Sequence, residues 1–184
     1  VMKDAWIKKL QGISLSNVKI TLLQNGAKQT KSPKRNEQNT SKGSILFTHF
    51  GLSGPAILNL SKDIGELLAY GEVIISLDLL PMLNEQELDE KIRELITKEI
   101  NKKLKNCLET LIPAAFVPIV IELSGVRPEI FNNSVTREER LRLVKILKHI
   151  FIPHEHNDYK PHFFREISVA IILFLSIFLL GASA

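Results

Sequence analysis

Apolar and polar residues alternate along Asn17–Leu22, with Val18, Ile20 and Leu22 set against Asn17, Lys19 and Thr21. A period of two puts alternate side chains on opposite faces of a strand, so residues 13–27 read as a half-buried strand. Asn25-Gly26 is the dipeptide of a tight type I′ turn, and a partner strand is expected to begin at Ala27 and fray into the polar stretch beyond. Residues 44–50, SILFTHF, are more continuously apolar and predict another strand, and residues 72–80 alternate again, with Val73, Ile75, Leu77 and Leu79 on one face. Between them, apolar residues at 57, 60, 64, 67 and 68 recur at helical spacing. Pro55 suits the first helical turn, where its missing N–H is no loss, with Ser53 or Gly54 as cap. Gly65 lowers helix propensity by roughly 1 kcal/mol relative to Ala and predicts an irregularity there.

After Pro81 the period becomes helical. Asn84 with Glu87 and Thr136 with Glu139 have the spacing of capping boxes, each opening a helix. From the first runs an apolar stripe through Leu88, Ile92, Leu95, Ile96, Ile100, Leu104 and Leu108, either as one long helix or as a pair broken near Asn101. A shorter helix is expected over 114–123, ended by Gly125 and Pro128. In the last helix Leu141, Val144, Leu147 and Ile150 are expected to face inward. The fold class is α+β: a small β-barrel-like unit within residues 1–81, an all-helical unit over 82–150, and a tail of different character over 151–184.

Composition is that of a globular protein, 45% hydrophobic and 24% charged, but residues 167–184 carry no charge. That stretch is near the lower limit of the roughly 17–25 residues a membrane span needs. Arg165 and the Phe163-Phe164 pair lie where headgroups would be, so a tail anchor is one reading, beside a frameshifted end and a buried helix. No secretory signal is read at the start of the chain, and the expected location is the cytoplasm, with membrane association only through residues 167–184. The net charge of +4 is modest and much of it sits in the segment 28–42, where Lys28, Lys31, Lys34, Arg35 and Lys42 face only Glu37. No aromatic residue is interleaved there to stack on bases, so it reads as a solvated loop, and no nucleic-acid partner is expected. Cys107 is the single cysteine; it excludes an internal disulfide, fits a reducing compartment and falls on an apolar helix face as a core residue.

No glycine-rich dinucleotide fingerprint, P-loop, zinc spacing or serine nucleophile elbow is present, and no metal site is expected. His154, Glu155, His156 and Asp158 read as a solvated cluster. The chemistry-bearing stretch is Thr48-His49-Phe50-Gly51-Leu52-Ser53-Gly54-Pro55, leading from a strand end through two glycines into a helix start. Glycines there permit close backbone approach, and the free N–H groups of a helix start favour an anion or a carbonyl oxygen. The candidate cofactor- or substrate-facing residues are therefore Thr48, His49, Gly51, Ser53 and Gly54. His49 has the chemistry of a proton donor, but no carboxylate partner is visible and no catalytic residue is assigned.

The string LFTHFGLSGPAIL at 46–58 resembles the BaiN-like (YhiN-like) family of FAD-dependent oxidoreductases. Trp6, the Leu10–Leu15 segment, Asp78-Leu-Leu-Pro81, Leu111-Ile-Pro113 and the helix ending Leu147-Lys148 resemble it too, in the family's order, over roughly residues 1–150. The resemblance implies an insert, part β-barrel-like and part helical, within a Rossmann-like FAD domain that is missing from this chain. It also implies FAD as cofactor, NAD(P)H as reductant, a small-molecule substrate, and a role for the insert in shaping the cavity over the flavin. On that reading the isolated chain is inactive. A non-enzymatic interaction module and a tail-anchored membrane protein are the alternatives.

Overall fold

A computed structural model of the chain describes residues 5–25, 39–49, 51–69 and 71–154. The turn at Asn25-Gly26 in part, the strand start at Ala27, most of the basic loop, residues 155–158 and the apolar tail lie outside them. The compact unit containing the described residues is Val1–His154.

Among the described residues five strands form one antiparallel sheet: β1 (Ser14–Asn25), β2 (Thr40–Thr48), β3 (Gly51–Ser53), β4 (Glu72–Asp78) and β5 (Ile150–His154), in spatial order β3-β2-β1-β4-β5. The described residues also form α1 (Ala5–Lys9), α2 (Pro55–Leu68), α3 (Glu85–Lys98), α4 (Leu104–Leu108), α5 (Val117–Ser124) and α6 (Arg137–Lys148). The alternation along β1 translates directly into burial, since Val18, Ile20 and Leu22 are all buried. Leu15 is buried as well, although it is three residues from Val18. The register against β2 slips between these two residues, where a β-bulge with Asn17 at φ 58 inserts the extra residue and returns the apolar set to the core face.

β2 starts four residues before the apolar run at residue 44. Its polar beginning pairs with β1 through Thr21↔Thr40, Ile20↔Ser41 and Lys19↔Lys42; backbone hydrogen bonding, indifferent to side-chain polarity, recruits it. α2 spans the predicted 55–68 and runs unbroken through Gly65. Both capping boxes are made, with Asn84 accepting from Glu87 N–H and Thr136 from Glu139 N–H. The long stripe breaks into α3 and α4. α6 buries Val144 and Leu147 as its periodicity predicts, and Leu143 with them, whereas Leu141 is 39% exposed. Residues 143 and 147 are one turn apart and centre the buried stripe, and residue 141 is about 200° around the helix from 143. Ile150 is buried, but as the first residue of β5, which pairs with β4 through Leu77↔Ile150.

The sheet and the helices share one hydrophobic core. Phe47 of β2 and Phe116, just before α5, meet edge to face with ring centroids 5.2 Å apart. Arg140 of α6 makes two bonds to the Asp89 carboxylate of α3, at 2.5 and 3.2 Å.

Candidate functional site

The chemistry-bearing stretch is a hairpin followed by a helix cap. β2 pairs with β3 through Thr48↔Gly51, Phe47↔Leu52 and Leu46↔Ser53. Thr48 Oγ1 donates to the Gly51 carbonyl at 3.1 Å, closing the turn. Thr48, Ser53 and Gly54 are half-buried, Gly51 is buried, and His49 is exposed at the tip. Gly54 caps α2 with φ 105, and its carbonyl accepts from Ile57 and Leu58 N–H, both at 3.0 Å. A Cβ on Gly54 would stand 2.9 Å from the Ser44 carbonyl oxygen and 3.0 Å from Ile45 Cα. This glycine lets the helix start lie against β2; the close approach is between two parts of the backbone and leaves no cradle for a ligand.

A cleft of about 380 Å³ opens beside the bulge of β1. Its walls include Leu15, Asn17, Leu79, Pro81, Ile112 and Pro113, so three of the separated segments that carry the family resemblance meet there. The turn after β4 forms one side and is held from below. Lys148 Nζ lies 2.6 Å from Asp78 Oδ2 and donates to the carbonyls of Leu80 and Leu83, at 3.1 and 2.6 Å. Leu80 N–H donates to Asp78 Oδ1 at 2.9 Å. Both charged side chains are nearly buried, and such a pair is tolerated when remaining hydrogen-bonding capacity is satisfied in this way. Sequence reading gives neither Lys148 nor Asn17 this role: one ends a helix in a charged run, the other needs the bulge to matter.

On the helical part a shallow depression of about 730 Å³ is lined by Lys105, Val117, Pro118, Ile121, Arg127 and Glu129, among others. Glu129 bonds both Lys103 and Lys105, and the hydrogen bond from Lys103, then that from Lys105, holds its carboxyl below the usual carboxylate value. Cys107 is buried, as its place on the apolar face predicts; Asn132 Nδ2 donates to its sulfur at 3.0 Å and to the Glu99 carbonyl at 2.6 Å. Among the described residues no helix is long and apolar enough to cross a membrane, and no group of three or more His, Cys, Asp or Glu could hold a metal.

With this sheet-and-helix arrangement in view, the sequence profile of the HI0933-like protein barrel and H2TH domain matches residues 1–163. The chain belongs to that family. It is the family of the BaiN-like (YhiN-like) flavoprotein inserts, and it is associated with FAD-dependent proteins. A ribosomal RNA dihydrouridine synthase of Haemophilus influenzae is 30% identical over 119 residues, which cover 63% of this chain and 27% of that protein. The chain therefore matches well under two thirds of the relative's length. The open sheet and its helices supply the family's barrel and helical parts, and the α+β class read from periodicity stands.

Proposed function

We propose that this chain is the insert of an FAD-dependent oxidoreductase that reduces uridine in RNA. Membership of the family over residues 1–163 carries the reading, and the relative named for ribosomal RNA dihydrouridine synthesis selects the substrate class. That choice replaces the free small molecule expected from sequence with a base held in a polynucleotide. Forming dihydrouridine adds a hydride and a proton across the C5–C6 double bond of uracil, and FAD, reduced in turn by NAD(P)H, supplies the hydride when bound.

The described residues do not fit the flavin itself. The one close backbone approach, at Gly54, is filled by β2, and no dinucleotide fingerprint is present in the sequence. The proposed role is accordingly on the substrate side. In the Thr48–Gly54 stretch the exposed His49 is assigned to the substrate, while Gly51 and Gly54 serve the hairpin and the cap. Thr48 and Ser53 hold the hairpin that presents His49.

The deciding experiment removes the gene that encodes this chain and measures dihydrouridine in ribosomal RNA by mass spectrometry. Loss of a dihydrouridine, restored by the intact gene, is expected. An unchanged dihydrouridine content refutes the substrate assignment.

A further inference from the structure

The sheet has one face packed into the core; the other is open at Lys42 and Phe151, half-buried at Lys19 and Thr21 and covered at Ser76, and it holds an arrangement that folding alone does not favour. Lys19 and Lys42 are direct cross-strand partners, and like charges in that position repel. Neither has an ion pair among the described residues. The carboxylate on the other side of Lys19 is Asp78, and it is already engaged by Lys148 and by Leu80 N–H. With the one neighbouring carboxylate shared with Lys148, two adjacent ammonium groups leave an excess of positive charge that suits an anion bridging two strands.

The same face bears stacking surface. Phe151 of β5 is 54% exposed and lies parallel to the His149 ring, with centroids 6.1 Å apart and 10° between planes. His149 is held by Glu85 Oε1 at 3.6 Å from Nε2 and by Ser76 Oγ at 3.5 Å from Nδ1. Between the rings and the lysines lie Ser76 and Thr21, paired across the strands as Phe151↔Ser76 and Thr21↔Ser76. From β5 to β2 is three strand spacings, about 14 Å. Among the described residues the other carboxylates on this side are Glu85, which faces His149, and Glu72 at the far end of β4.

We propose that this face binds single-stranded RNA, with backbone phosphate on Lys19 and Lys42 and a base stacked on Phe151. The inference rests on the reading of RNA as substrate and gives that reading a binding surface. Exposed rings on a sheet, with cations beside them, are the combination that holds single strands without a groove to read. An acidic protein partner satisfies the lysines equally but has no use for the paired rings.

The test is fluorescence anisotropy of a labelled oligouridylate about ten nucleotides long, titrated with the full 184-residue chain over a range of salt. Replacing both lysines, Lys19→Gln with Lys42→Gln, is expected to weaken binding at least tenfold. It should also flatten the dependence of log affinity on log salt by about 1.4, the contribution of two phosphates on a single strand. Phe151→Ala is expected to weaken binding roughly fivefold or more. Lys62→Gln, on the exposed side of α2, should do neither.

Relieving the lysine repulsion should leave the thermal midpoint unchanged or higher, so a fall large enough to explain lost binding overturns the proposal. Unchanged affinity in the double variant, or equal weakening by Lys62→Gln, also overturns it. The outcome is independent of the dihydrouridine measurement: loss of dihydrouridine on gene deletion with unaltered oligouridylate binding rejects this surface and keeps the function. Binding that depends on Lys19, Lys42 and Phe151, without any change in dihydrouridine, rejects uridine reduction and keeps the surface.

Discussion

Gly54 and Gly65 are indistinguishable as letters, and the structure gives them opposite consequences. Gly54 combines φ 105 with backbone atoms 2.9–3.2 Å from where a Cβ would go. Gly54→Ala should destabilise the unit by about 3 kcal/mol. Gly65 lies inside α2 with nothing within 4 Å of its missing Cβ, so Gly65→Ala should stabilise by about 0.5–1 kcal/mol. Chemical denaturation of the two variants checks both signs; a neutral Gly54→Ala removes the packing account and revives a ligand-facing role for that glycine. Charge at this scale is best tested at Glu129. Its folded carboxyl is lowered by Lys103 and Lys105, so the linked contribution is present above the unfolded carboxylate pKa and is lost as pH falls through the lower folded value. An NMR titration should show the Glu129 carboxyl ionising below an ordinary glutamate and returning toward it in Lys103→Met. An unshifted titration contradicts the contact.

Elements were legible wherever their cause is local. The capping boxes at Asn84 and Thr136, the Pro55 start of α2, the alternation of β1 and the Gly125 stop after α5, at φ 65, follow from nearest-neighbour chemistry. Thr48–Pro55 was only half legible. The two glycines and the helix start were readable, but the return of the chain as β3 was not, because three residues are too few to show a period. Elements that need a distant partner were hidden for the same reason. Lys148 ends α6 with the look of a solvated helix terminus, yet its ammonium is placed against Asp78 and two carbonyls of the turn after β4. The lysine pair on the open face of the sheet likewise appears only when β1 and β2 are in register, with Lys42 arriving from what reads as the end of a basic loop.

At the scale of the molecule the sheet is completed by a strand from beyond the helical part. β5 pairs along β4 from Leu77↔Ile150 to Val73↔His154, with Ile150 and Ile152 buried at 1% and 0%. A chain ended after His149 should therefore be markedly less soluble and melt earlier than one ended after His154, since it bares the β4 edge and opens the core. Equal melting of the two, followed by circular dichroism, excludes a structural role for β5. Sequence alone determined the α+β class, most element boundaries, the burial of Cys107 and, through the 46–58 string, the family. These depend on interactions within a few residues or on a motif read as a unit. Tertiary structure decided which polar groups meet: the seat of Lys148, the backbone contact that demands Gly54, the cleft beside Asn17, and the juxtaposed Lys19 and Lys42. Each depends on strand register or on the docking of helices against the sheet, and a one-residue slip in register would move every side chain involved to the other face.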